Sequence, residues 1–260
     1  MENFEQAITL VSEEDFMASV DLRHTYYSVR IAEEQQSFFC FKWKNNIYQF
    51  SCLPNGVSEG PRLFTKLMKP VFAALREKGH RIISFIDDTL ICNSSRQGCL
   101  DCIQDTLQLL RKLGFHINLE KSVLVPTQRI EYLGNIIDTK SMTVSLPECR
   151  IVKIMQACMS LMGKERDKIR EVARVTGLLV AASPAVTLGR LNYRKLERAK
   201  ILALQQVKGN FDKTLEITND MTDDLAWWVH NITIQNRLIF RGGTDIDLHT
   251  DSSKTGWEVI

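Results

Sequence analysis

Adjacent carboxylates inside an apolar run are the first feature of this sequence that suggests chemistry. Asp87 and Asp88 follow Ile82, Ile83, Phe85 and Ile86 and precede Leu90 and Ile91. Neighbouring carboxylates repel each other, and partial desolvation adds to the cost. A cation that neutralises the pair removes much of that cost, and hard oxygen donors suit Mg²⁺. The alternative is an exposed Asp-Asp turn in an ordinary hairpin, and the pair alone does not decide between the two. Asp21 closes the run Met17-Ala18-Ser19-Val20 and offers a third carboxylate at a predicted strand end. Alone it would read as a cap. Beside the pair it could complete a two-metal site, in which one ion activates a hydroxyl and the other holds a transferring phosphate. Phosphoryl transfer asks mainly for positioning and charge neutralisation, so such a carboxylate set needs little else.

The elements that must position these residues follow from the hydrophobic pattern. Residues 2–11 read as a short helix and 16–22 as a strand. Residues 37–43 and 47–52 are aromatic-rich strands joined at Lys44-Asn45-Asn46, a hairpin signal. A helix follows from Ser58 towards Gly79, with Pro61 in its first turn and Pro70 predicting a kink. Short apolar runs at 81–86 and 89–92 make a hairpin with the two carboxylates at its tip. A helix over 97–113 is apolar at Leu100, Ile103, Leu107, Leu110 and Leu113 and stops at Gly114. Strands are expected at 122–125 and 130–137, where Gly134 suggests a bulge or close backbone approach. This mixture is α+β. Beyond Pro147 the pattern turns helical over 147–161, 167–182, 191–207 and 218–232, and a strand begins near 245–250. The composition break near 145 divides an α+β part, 1–145, from a helical part, 146–240, and a short final segment, 241–260.

Bulk composition narrows the class. The chain has 260 residues, 44% hydrophobic and 25% charged, which suits a globular protein with a real core. No apolar run reaches the ~18 residues of a membrane span, and no secretory signal opens the chain. Seven cysteines, an odd number, fit a reducing, intracellular compartment. Cys99 and Cys102 form a lone Cys-x-x-Cys inside a helical pattern, which reads as core or surface rather than zinc. Net charge is only +2, but residues 150–208 hold 13 Lys/Arg against 4 Asp/Glu, a balance of +9 that leaves −7 elsewhere. A basic block of this kind suits contact with a phosphate backbone, although a solvated helix face would look the same.

Several segments, in order, resemble the motifs of reverse transcriptases. Asp21-Leu22-Arg23-His24-Thr25-Tyr26 is similar to the first catalytic motif. Leu53-Pro54-Asn55-Gly56-Val57-Ser58, with Pro61, Phe64 and Thr65, resembles the second. Phe85-Ile86-Asp87-Asp88 resembles the third, with Phe where many members carry Tyr. Leu113-Gly114-Phe115 and Asn118-Leu119-Glu120-Lys121-Ser122 resemble the fourth, and Glu131-Tyr132-Leu133-Gly134 the primer-grip motif. Further on, Ile169-Arg170-Glu171-Val172-Ala173 and Gly177-Leu178-Leu179 look like thumb and connection helices of retrotransposon polymerases. Asp224-Leu225-Ala226-Trp227-Trp228 and 250–257 look like the entry into a ribonuclease H domain. Among retroelements, the tyrosine-recombinase group and Gypsy-like elements look most similar.

The resemblance implies a polymerase palm with partial fingers over 1–145, a helical thumb and connection over 146–240, and the first strand of a ribonuclease H-like domain over 241–260. It implies an RNA-directed DNA polymerase that adds dNTPs to a primer 3′ end on an RNA or DNA template-primer duplex. Asp21, Asp87 and Asp88, with the Leu22 carbonyl, would hold two Mg²⁺ ions. Tyr26 would sit under the incoming sugar and exclude a 2′-hydroxyl, and Asn55, Gly56 and Phe85 would border the nucleotide. Lys121 would lie near the pyrophosphate as a proton donor, and Tyr132 and Gly134 would place the primer end. Asp251 would be the first ribonuclease H carboxylate; with its partners not in place, no ribonuclease H activity is expected.

The sequence departs from the family at its start. In the family, strands preceding the first motif carry basic residues that grip the triphosphate. Here no Lys or Arg precedes Arg23, and Glu2, Glu5, Glu13, Glu14 and Asp15 are acidic. Weak nucleotide binding is therefore expected of this chain taken by itself. A catalytically inactive, nucleic-acid-binding remnant is the competing expectation, and a fortuitous Asp-Asp hairpin in an unrelated α+β protein is a third.

Overall fold

A computed structural model describes residues 2–239 and, for the backbone alone, 250–252 and 257–259. The first half alternates helices and antiparallel strands. Helix α1 (Phe4–Leu10) opens with a capping box in which the Asn3 side chain accepts from the Gln6 amide. Strand β1 (Phe16–Arg23) follows, then a 3₁₀ turn at Thr25–Ser28, the short α2 (Glu33–Gln36) and the hairpin β2 (Cys40–Trp43) and β3 (Asn46–Gln49). Lys44 and Asn45 both take positive φ at the tip of that hairpin, as the sequence signal requires. Helix α3 (Gly60–Glu77) buries Phe64, Met68, Phe72 and Leu75 along one stripe and continues through Pro70. Strands β4 (Arg81–Phe85) and β5 (Asp88–Asn93) form the predicted carboxylate hairpin, and α4 (Arg96–Lys112) is capped by the Ser95 hydroxyl.

Strands β6 (His116–Ile117) and β7 (Val123–Thr127) pair along one edge of β1, while β5 pairs along the other and β4 pairs with β5. Burial along the later part of β1 alternates strictly. Ala18, Val20 and Leu22 point into a core closed by α3 and α4, which leaves Ser19, Asp21 and Arg23 on the opposite face. Cys99 and Cys102 are buried in that same core, so the Cys-x-x-Cys pair is packing.

The expected strand over 130–137 is instead a hairpin, β8 (Arg129–Tyr132) and β9 (Asn135–Asp138), extended by β10 (Thr143–Ser145). Leu133 and Gly134 turn the chain, both at positive φ, so Gly134 serves a tight turn and not a bulge. Leu133 looks like a strand residue until its φ of +48° is seen, and Gly134-Asn135 is the one turn signal in the run.

The second half is helical as expected: α5 (Glu148–Met162), α6 (Ile169–Ala182), α7 (Arg194–Gln206) and α8 (Asn219–Asn231). Between them the pattern did not reveal β11 (Arg166–Lys168) and β12 (Thr214–Glu216), which pair with each other, or β13 (Arg237–Leu238), which joins β10. Each is too short for a period-2 signal. One hydrophobic cluster runs from Phe4 and Ile8 through Leu90, Tyr132 and Ile137 to Ile154, Leu179 and Trp228, across the composition break at 145. Strands β14 (Thr250–Ser252) and β15 (Trp257–Val259) pair antiparallel. Asp251 falls in β14, and its side chain lies outside the described residues, as do residues 240–249, on which part of the predicted final strand falls.

The acidic residues before Arg23 are largely engaged within the fold. Glu2 accepts from Arg76 and from the Ser84 amide, Glu5 from Arg237, Glu14 from Gln128, and Asp15 from Arg81.

Candidate active site

Register brings the aspartates together. In the antiparallel β1–β5 ladder Asp21 is the direct partner of Asp88, and Asp88 is also the partner of Phe85 across the β4–β5 turn. Asp87 occupies that turn, where its carbonyl accepts from the Leu22 amide at 3.2 Å. Ile86, the other turn residue, sits at φ +55°, a region β-branched side chains avoid. A strained tip of this kind marks a position that its surroundings over-determine.

The loop after β6 fixes Asp21 from the other side. The Asp21 amide donates to the Ser122 hydroxyl at 3.0 Å, the Asn118 amide donates to the Asp21 carbonyl at 2.8 Å, and Ser122 in turn donates to the Asn118 carbonyl at 2.7 Å. Asn118 and Ser122 thus set the backbone of the first aspartate. Their proximity in the fourth motif was the available signal, but a positioning role was not legible from it.

Asp21, Asp87 and Asp88 line one groove of about 470 Å³ together with Lys121, Tyr132 and Gly134. Ser19, Glu131 and Leu133 also line it and had not been singled out for a role. Burial, followed by the charges of Asp87 and Asp21, pushes the Asp88 carboxyl up to about 6, and Lys121 offsets part of this. Asp87 is raised as well, by burial first and then Asp21. The groove therefore concentrates negative charge that the protein's own cations do not neutralise. Among the described residues, no group of three or more His, Cys, Asp or Glu side chains is gathered at metal-ligand spacing. Even so, the donor chemistry fits a divalent ion: hard oxygens, partly desolvated, with excess negative charge.

Other expected site residues lie around this groove or apart from it. Tyr26 is half-buried in the 3₁₀ turn after β1, edge-on to Phe64 with ring centroids 6.2 Å apart. Burial, and then the charge of Asp87, raises its hydroxyl pKa, which puts it within the field of the groove. Phe85 ends β4 beside the turn. Asn55 and Gly56 stand exposed on the loop before α3, Gly56 at φ +95°, and do not line the groove.

The basic block is partly neutralised. Lys164, Arg170, Arg174, Arg190, Arg194 and Lys195 form ion pairs, several with acids outside the block such as Asp212 and Asp220. Among the described residues Lys153, Arg166, Lys168, Arg198, Lys200 and Lys208 have no such partner.

A family described as "Reverse transcriptase (RNA-dependent DNA polymerase)" matches residues 3–137. The Gag-Pol polyprotein of avian reticuloendotheliosis virus is 25% identical over 166 residues, covering 61% of this chain and 14% of the polyprotein. The Tf2-3 transposon polyprotein of Schizosaccharomyces pombe is 22% identical over 139 residues, covering 54% of this chain and 10% of that protein. The chain thus spans about a seventh or less of the length of these curated relatives. The foamy viral protease-reverse transcriptase, solved in complex with RNA/DNA hybrid, superposes with a TM-score of 0.69 at 17% identity, covering 89% of this chain and 29% of that one. With the groove, the carboxylate hairpin and the motif order in agreement, the chain belongs to the reverse transcriptase (RNA-dependent DNA polymerase) family.

Proposed function

We propose that this chain is the polymerase portion of a retroelement reverse transcriptase, which extends a primer 3′ end with dNTPs along an RNA or DNA template. The observation that carries the proposal is the meeting of Asp21, Asp87 and Asp88 in one groove walled by Tyr132 and Gly134. Asp21, Asp87 and Asp88, with the Leu22 carbonyl, would hold two Mg²⁺ ions. When bound, such ions activate a primer hydroxyl and neutralise the triphosphate. Lys121 lines the groove, its charge offsets part of the rise in the Asp87 and Asp88 pKa values, and it suits a leaving pyrophosphate. Tyr26 would close the sugar side and disfavour a 2′-hydroxyl by sterics. Phe85, Asn55 and Gly56 would border the nucleotide, the last two from an exposed loop that must approach the groove.

The cations without ion pairs between Lys153 and Lys208 suit a duplex backbone, and the foamy viral structures were solved with RNA/DNA hybrid and with dsDNA. Residues 1–145 would act as palm with partial fingers, 146–240 as thumb and connection, and 241–260 as the start of a ribonuclease H-like domain.

Primer extension with Mg²⁺ tests the proposal by comparing wild type with Asp87→Asn. Loss of incorporation in the variant is expected, and equal rates would remove the metal assignment. Salt-dependent duplex binding with no incorporation by either protein would assign a non-catalytic role instead.

A further inference from the structure

A cation in the first turn of a helix opposes the helix dipole. Arg150 is such a cation, in the first turn of α5. Its guanidinium is half-buried, and burial lowers its pKa, the mark of a site that does not favour the charge; Glu131 offsets this only in part. It forms no ion pair among the described residues; its Nη1 donates instead to the carbonyl oxygen of Gly134. The fit there is close, since a Cβ on Gly134 would stand 2.9 Å from that Nη1. The φ of +70° favours glycine at 134, and a Cβ there would displace the guanidinium from the turn.

The turn that Arg150 grips is the wall of the carboxylate groove. From its other side, the same hairpin reaches the catalytic strand, where the Tyr132 hydroxyl donates to the Asp88 carbonyl at 3.2 Å. The Leu133–Gly134 turn is thus suspended between helix α5 and strand β5. A stability role explains this poorly, because a half-buried cation at a helix N-terminus, with no ion pair among the described residues and only partial compensation from Glu131, is a cost and not a gain.

We infer that Arg150 is a positioning residue: it holds the Leu133–Gly134 turn at the height that seats a primer 3′ end against Asp21, Asp87 and Asp88. The inference rests on the polymerase reading above. It assigns Arg150 no contact with the reacting atoms.

The test uses Arg150→Met, which keeps the apolar stem and removes the donors, and Arg150→Lys, which restores one. A template-primer carrying 2-aminopurine at the primer 3′ terminus reports terminal seating by fluorescence, without dNTP or divalent ion. Steady-state extension reports the KM for template-primer and the KM for dNTP separately. Arg150→Met is expected to weaken terminal seating and lower the extension rate about tenfold to a hundredfold, the effect of a displacement near 1 Å. The KM for dNTP should stay within about twofold, and Arg150→Lys should recover part of the loss. Wild-type seating and rate in Arg150→Met would overturn the inference. So would a loss in Arg150→Met that tracks only a lower unfolding temperature. If wild type itself neither seats nor extends the primer, the polymerase reading fails first, and the inference falls with it.

Discussion

Tyr132 donates its hydroxyl hydrogen to the carbonyl oxygen of Asp88 at 3.2 Å, joining the groove wall to the strand that carries one of its carboxylates. Tyr132 is buried, so the bond is protected from water, and burial raises the phenol's pKa far enough to keep it a donor. Tyr132→Phe removes the bond at little change in volume. The expected cost in stability is about 1 kcal/mol. Activity should fall more than stability implies, because the wall can shift relative to Asp88. Thermal unfolding and primer-extension kinetics together check this, and a variant matching wild type in both would show that the link is idle.

The charge gathered in the groove makes a pH-dependent prediction for the metal-free protein. The Asp88 carboxyl stands at about 6 in the fold, against 3.8 for a free side chain. Between those values the folded state holds a proton that the unfolded state has released. Stability in EDTA should therefore fall as pH rises from about 4 to about 6 and stay low above it. Asp88→Asn removes this penalty. At neutral pH in EDTA its unfolding midpoint should exceed that of wild type by about 2–4 °C for each kcal/mol recovered, while primer extension is lost. A midpoint equal to or below that of wild type would mean that the carboxylates are not electrostatically strained.

Asp15 and Arg81 form a pair that anchors the entry to β1. The Asp15 side chain is 1% exposed and accepts from Arg81 at 2.6 and 2.8 Å and from the Ser12 amide at 2.7 Å. Arg81→Met leaves that carboxylate buried without its cation and should cost about 3–5 kcal/mol. Adding Asp15→Leu should return part of the loss, since an apolar pair removes the stranded charge. Urea unfolding of the single and double variants decides it, and additive losses would exclude the pairing as the cause.

Tyr26 is supported edge-on by buried Phe64, and its ring lies within 3.7 Å of the space beside Gly60. Replacing it with Val opens the sugar side of the proposed nucleotide site. Incorporation of rNTPs relative to dNTPs should rise about tenfold to a hundredfold, the scale of discrimination that a steric pocket supplies. Competitive incorporation assays measure the ratio. An unchanged ratio would place the sugar discrimination elsewhere.

Much of the site was legible before folding was considered. The apolar runs that end in Asp21 and flank Asp87 and Asp88 put carboxylates at strand ends, and the stripe of Leu100, Ile103, Leu107 and Leu110 predicted one helix, α4, of the layer that packs behind them. The break at Leu133–Gly134 escaped because 130–137 read as one strand, with Gly134-Asn135 its only turn signal and Leu133 an unexpected residue for positive φ. The short strands β10 to β13 escaped because two or three residues carry no period. The acidic start read as hostile to a triphosphate, yet most of those carboxylates are spent on Arg76, Arg81 and Arg237.

By itself, then, the sequence determined the longer elements, the α+β-to-helical order and the identity of the carboxylates, because these depend on local periodicity and residue chemistry. Tertiary structure alone decided that Asp21 is the register partner of Asp88 and that Asn118 and Ser122 brace it. It alone decided that Arg150, 16 residues away in helix α5, grips the turn at Gly134. Strand register and cross-element hydrogen bonds are set by the packing of the whole chain, and no local pattern encodes them.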